Sequence, residues 1–202
     1  MFYRPEDGAP LPHNPFTALV APRPIAWIST RNAEGRPNLA PYSFFNAISG
    51  KPPVLGFSSE GMKDTSRNII ATKEFTINMA GREHAQMLNL SSATLPPDVN
   101  EFEFADVPMA AGVTISAPRV ATAVCAFECR LLDFRRIKLL DGSYTNNIHF
   151  VGQVTGIHID DRYIKDGRVD VVAAGMLSRM GYRDYNSLSD SFEMIRPSDY
   201  PG

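Results

Sequence analysis

The stretch "RPNLAPYSFFNAISGKPPVLGFSSEGMKDTSRNI", residues 36–69, decides how this chain is read. It strings hydroxyls and aromatics together in "NLAPYSFFN", interrupts them with prolines, and ends on a glycine, a lysine and a run of helical character. Upstream, "FTALVAPRPIAWIST" (16–30) is apolar and β-branched near its end, with Ile25, Trp27 and Ser29 on one face, and "RNAEGRPN" supplies turn chemistry. Residues 24–49 therefore read as a hairpin whose second strand is "LAPYSFFNAIS". Pro52-Pro53 opens a further strand, "VLGFSS" (54–59), because proline is tolerated at a strand's first residue. "KDTSRNIIATKE" (63–74) reads as a short helix N-capped by Asp64 or Thr65.

Further along, "FTINMA" (75–80) alternates as a strand, and "REHAQMLNLSS" (82–92) carries Ala85, Met87 and Leu88 on a helical face. "ATLPPDVNEFEFADVPMAAG" then begins a long, proline-bearing excursion over residues 93–118. An insertion of that length is expected to be functional or to cover a partner, with Phe102 and Phe104 as contact candidates. Long strands follow in 119–139 and 147–160, joined by a turn at Asp141-Gly142, and they suggest a curled antiparallel sheet. The tail "VDVVAAGMLSRMGYRDYNSLSDSFEMIRP" reads as a short helix and a returning segment, and residues 1–15, with four prolines, as an irregular arm. The pattern is mainly β with added helices, a β-barrel.

A chain of 202 residues with 44% hydrophobic and 21% charged composition fits one globular domain spanning 1–202. A net charge of -2 from 20 basic and 22 acidic residues gives no reason to expect nucleic acid or a membrane surface as partner. Cys125 and Cys129 fall on one face of a strand about 13 Å apart, beyond disulfide reach, and read as packing residues in a reducing compartment. The opening residues lack a charged start followed by an apolar run, so the expectation is a cytoplasmic protein. The four histidines, His13, His84, His149 and His158, are scattered; His149 and His158 point to opposite faces of one strand and cannot share a metal.

There is no G-x-G-x-x-G, no Walker-type glycine loop and no H-E-x-x-H, and "GFSSEG" (56–61) misses the nucleophile elbow by one residue. "SSEGMKDTSRN" (58–68) is different: Ser58 and Ser59 end a strand, and Lys63 precedes a helix whose free N–H groups fall near Thr65 to Asn68. Such a terminus is a ready anion site, although an ordinary capped helix would use the same residues. The preceding strand changes the balance. Pro41 removes a ladder donor, so one edge of "NLAPYSFFN" is not fully paired and could serve a planar heterocycle.

"PRPIAWISTRNAEGRPNLAPYSFFNAISGKPPVLGFSSEGMKDTSRNIIATKEFTIN" (22–78) closely resembles the flavin reductase-like, FMN-binding split-barrel family, and "FECRL", "GQVTGIHIDD" and "LSRMGYRDYNSL" resemble its later segments. The resemblance implies a six-stranded antiparallel split β-barrel and a homodimer with flavin at the interface. It places the isoalloxazine against the backbone of Asn38, Leu39, Ala40, Pro41, Tyr42, Ser43, Phe44 and Phe45, with Ser43 as a hydrogen-bond partner. The phosphate falls to Ser58 or Ser59, Lys63, Thr65 and Asn68, and Arg179 and Tyr185 stand where members approach flavin or nicotinamide. The implied activity is hydride transfer from NADH or NADPH to FMN. The short stand-alone reductases often carry a "GR.H" histidine near the C-terminus, where this chain reads "MGYRDY" with no histidine. The alternative it keeps open is an FMN electron carrier reduced by a protein partner, without a pyridine nucleotide site.

Overall fold

The computed structural model describes residues 1–96, 99–195 and 197. In chain order the strands are β1 (Arg23–Pro24), β2 (Ala26–Arg31), β3 (Pro37–Tyr42), β4 (Phe45–Gly50), β5 (Pro53–Glu60), β6 (Glu74–Met79), β7 (Met109–Ala110), β8 (Arg119–Val120), β9 (Cys125–Lys138), β10 (Tyr144–Ile159), β11 (Ile164–Lys165), β12 (Arg168–Val169), β13 (Leu177–Arg179) and β14 (Tyr185–Ser187). The helices are α1 (Phe16–Leu19), α2 (Asp64–Thr72), α3 (Ala85–Leu90), α4 (Glu101–Phe104) and α5 (Val171–Ala174). Pro97 and Asp98 of the excursion and Arg196 of the tail lie outside the described residues.

The main sheet is antiparallel with strand order β3-β2-β6-β9-β10-β5-β4. The expected β2–β3 hairpin forms, closed where Asn32 N–H donates to the Arg36 carbonyl (2.9 Å) and the Asn32 side chain accepts from Arg36 N–H (2.8 Å). The single strand expected over "LAPYSFFNAIS" does not. It breaks at Ser43-Phe44, because the Phe44 carbonyl is taken by Ser58 N–H (2.8 Å) and Phe45 then pairs with Phe57. β3 and β4 are consecutive in sequence yet stand at opposite ends of the sheet, so the sheet curls into a barrel that stays open between them. This is a split barrel, with seven strands in the sheet rather than six.

β2 is buried on both faces: Ala26, Trp27, Ile28, Ser29 and Thr30 are all fully enclosed, where simple alternation assigned one face to the interior. On one side lie Ile25, Trp27, Leu39, Leu88, Phe102 and Val120; on the other, Ile28, Phe57, Phe75, Ile77 and Phe150. Phe57 stacks on Phe150 with ring centroids 5.1 Å apart. Enclosing each such ring stabilises the fold by roughly 1.5–3 kcal/mol. Phe102 is therefore part of this chain's own core and is not available to a partner; Phe104 is exposed. The helix over 82–92 begins as a 3-10 turn, and the buried position there is His84 rather than Ala85.

Cys125 and Cys129 are buried free thiols, the first pushed up to about 11 by burial and the second further by burial and the nearby Glu128 charge. His84, His149 and His158 each make a side-chain hydrogen bond, as expected of structural histidines. The tail forms α5 and the β13–β14 hairpin, which pairs with β1 so that Arg23 lies opposite Arg179. Among the described residues no helix is long and apolar enough to cross a membrane.

Candidate functional site

The break between β3 and β4 leaves a cleft of about 550 Å³, lined by Asn38, Ala40, Pro41, Tyr42, Ser43 and Phe44 on one wall and by Ser58, Glu60 and Met62 to Thr65 on the other. Its size is that of a small-molecule site. The open edge of β3 forms part of the wall. Leu39 N–H points away from β2 and donates to Glu101 Oε2 at 3.1 Å. Successive residues of a strand turn their N–H groups to alternate sides, so Pro41 stands in the same orientation as Leu39. Its missing donor thus falls on the open edge and removes no bond to β2, which corrects the expectation of a lost ladder donor.

The opposite wall is the start of α2. Its N-cap is Lys63, one residue earlier than expected, and no side chain caps it. Arg67 N–H already bonds to the Lys63 carbonyl (2.9 Å), so the free N–H groups are those of Asp64, Thr65 and Ser66 rather than Thr65 to Asn68. Gly61, at φ 70, turns the chain between β5 and this terminus. The lining carries Lys63 and Arg67 against Glu60, Asp64 and Glu101, so attraction for an anion cannot come from net charge. It comes from local arrangement. Arg67 is paired with Asp64 at 2.6 Å and Glu101 with the Leu39 amide, while Lys63 forms no ion pair among the described residues. Burial pushes the Glu101 carboxyl up, partly offset by the Leu39 hydrogen bond. Burial likewise raises the Tyr42 phenol, which stays protonated.

The expected residues divide. Asn38, Ala40, Pro41, Tyr42, Ser43, Phe44, Ser58, Lys63 and Thr65 meet at the cleft. Ser59 does not: it is fully enclosed and its hydroxyl donates to the Gly61 carbonyl at 3.4 Å. Asn68 sits one helical turn too deep, its amide donating to Thr30 Oγ1 at 2.9 Å. Phe45 packs against the core. Arg179 and Tyr185 stack on each other, 4.5 Å from guanidinium to ring centre, and lie outside the cleft lining. Arg23 connects the two regions: it faces the Phe44 ring at 5.9 Å and donates to the Met180 carbonyl at 2.9 Å.

The sequence reading missed the third wall, Ser91 to Leu95, and Asn147 on β10. The small hydroxyl run "SSAT" was the available signal for the former. Asn147 could be found only by knowing that it pairs with Glu60. An open backbone edge, an aromatic wall, hydroxyls and a free lysine at a helix N-terminus fit a planar heterocycle carrying a phosphate.

Residues 19–173 match the family model described as flavin reductase like domain. A protein of Aquifex aeolicus is 40% identical over 121 residues, 57% of this chain; the match spans 62% of that relative, under two thirds of its length. Nitrilotriacetate monooxygenase component B from Bacillus cereus is similar in structure, with TM-score 0.83 and 29% identity over 93% of this chain and 100% of that one. The 2-nitrobenzoate 2-nitroreductase NbaA of Pseudomonas fluorescens has TM-score 0.80 and 28% identity over 93% of this chain and 91% of its own. The chain belongs to the flavin reductase-like family.

Proposed function

We propose that this member of the flavin reductase-like family holds FMN in the cleft between the open edge of β3 and the N-terminus of α2, and reduces it with NADH or NADPH. The observation that carries the reading is that Lys63, Asp64 and Thr65 at the uncapped start of α2 and the unpaired edge of β3 border one cleft. Lys63 and the helix terminus hold the phosphate, helped by the hydroxyls of Ser58 and Thr65. The β3 edge from Pro41 to Ser43 offers backbone groups to the ring, and Phe44 closes one side. Bound FMN supplies the redox chemistry by accepting hydride at N5, so no side chain of the cleft needs to act as a strong acid or base.

A homodimer completes this proposal. Phe44 and Met62 are exposed apolar residues of the cleft lining, which supports a second subunit covering it. A cytoplasmic setting is supported by the two free cysteines. The second reading is an FMN electron carrier served by a protein partner, favoured by one observation. The Arg179 guanidinium is committed to the Tyr182 and Asp184 carbonyls and to the Tyr185 ring, and so is not free for a nucleotide. Steady-state oxidation of NADH and NADPH in the presence of FMN separates the two. Turnover with either supports the reductase; turnover with neither removes it and leaves the carrier.

A further inference from the structure

Two carboxamide–hydroxyl pairs fasten the first two turns of α2 to the barrel. Nδ2 of Asn38 on β3 donates to Thr65 Oγ1 at 3.0 Å, and Nδ2 of Asn68 on α2 donates to Thr30 Oγ1 on β2 at 2.9 Å. Thr30 and Asn38 stand directly opposite each other across the β2–β3 pair, and Thr65 and Asn68 are three apart on one helix face. All four residues are buried. The bonds form one reciprocal set, with an amide reaching from sheet to helix in one pair and from helix to sheet in the other.

The pairs differ in where they end. Asn38 and Thr65 line the cleft, whereas Thr30 and Asn68 lie outside its lining. Thr65 is the second residue of the uncapped helix, where its backbone N–H has no partner within the helix. A hydroxyl carries one proton and two lone pairs, so an Oγ1 that accepts from Asn38 keeps its own O–H to give. The neighbouring Tyr42 phenol stays protonated and brings a proton of its own. Pairing with β2 fixes Asn38, so the Thr65 hydroxyl is aimed before a ligand arrives and its ordering is not charged against binding.

We infer that Asn38 is a positioning residue for the phosphate of FMN: its carboxamide holds the Thr65 hydroxyl as a proton donor at the start of α2. It acts through Thr65 and not on the flavin itself. The inference rests on the FMN reading of the cleft, and it gives the Asn38 side chain a task at the phosphate end.

The test compares FMN with riboflavin, which has the same ring and lacks the phosphate, by fluorescence titration. The ratio of the two dissociation constants isolates what the phosphate contributes. Asn38→Ala should reduce that ratio about fivefold or more by weakening FMN more than riboflavin. Thr65→Val, which deletes the hydroxyl at nearly constant shape, should reduce it about tenfold. Because Asn38 acts through Thr65, the double variant should be no worse than Thr65→Val alone. Asn68→Ala loses a buried bond of the same kind and should lower the melting temperature with the ratio unchanged. If Asn38→Ala does not fold, Asn38→Ser, shorter but still polar, is read in its place. A wild-type ratio in the folded Asn38 variant, losses that add in the double variant, or an equal loss in Asn68→Ala overturns the inference while the FMN site stands. A wild-type protein that binds neither flavin, or both equally, overturns the FMN reading and this inference with it.

Discussion

Leu39 gives its N–H to Glu101 across the open edge of β3, at 3.1 Å. The bond ties α4, which lies in the long excursion, to the edge that forms the cleft wall. It also occupies one backbone donor of that edge before any ligand arrives. Glu101→Ala should leave the amide without its partner and lower stability by about 1–2 kcal/mol, whereas Glu101→Gln, which keeps an acceptor, should lose less than half of that. Urea unfolding of the pair measures it; equal losses would mean the bond contributes nothing.

Lys63 is the cleft cation with no ion pair among the described residues, and Ser59 and Asn68 are turned into the protein. Lys63→Ala is expected to weaken FMN binding by about 1.5–3 kcal/mol, the loss of one charge-assisted contact. Ser59→Ala should leave FMN affinity unchanged, and Asn68→Ala should lower stability more than affinity. Fluorescence titration with FMN, alongside thermal melting, distinguishes these outcomes.

Glu128 makes a pH prediction. Burial alone would raise its carboxyl, but hydrogen bonds from Thr114, His158 and Val113 outweigh it and hold the group at about 2, against an ordinary 4.5. The folded value lies below the unfolded one. Its stabilisation is therefore fully present above about pH 4.5 and is lost as pH falls towards 2. The difference corresponds to roughly 3 kcal/mol. Glu128→Gln should be less stable by that order at pH 7, with the gap narrowing below pH 4, as chemical denaturation at both pH values would register. A gap independent of pH would contradict the assignment.

Gly152 offers a check on the barrel interior. A Cβ there would stand 2.4 Å from the Phe75 ring, itself fully enclosed. Gly152→Ala should cost about 1–3 kcal/mol through overpacking, seen as a lowered melting temperature without loss of FMN affinity per folded molecule.

Much of this was legible in residues 36–69. The proline at β5's start and the helix after Lys63 follow from local backbone rules, and local rules are what a sequence displays; the edge near Pro41 is open because β3 ends the sheet. The break at Ser43-Phe44 was not legible, because it is imposed by Ser58 of the neighbouring strand β5, whose N–H claims the Phe44 carbonyl through a pairing that only the folded sheet fixes. The same limit explains Asn147 and the Ser91 to Leu95 wall, which reach the cleft only through folding. Ser59 and Ser58 are chemically identical neighbours; which one faces the cleft is decided by strand register. Phe102 was misread for a similar reason, since an aromatic in an excursion looks like surface until the core it fills is known.

The central claim is that the cleft between β3 and α2 holds FMN that a pyridine nucleotide can reduce. The most direct measurement is the visible absorption spectrum of the purified, FMN-reconstituted protein, repeated after anaerobic addition of NADH and then NADPH. The account predicts a protein-bound flavin spectrum that bleaches with at least one nucleotide. A bound flavin that ignores both and bleaches only with dithionite would contradict the reductase and leave the carrier, and a protein that takes up no FMN would contradict the cleft itself.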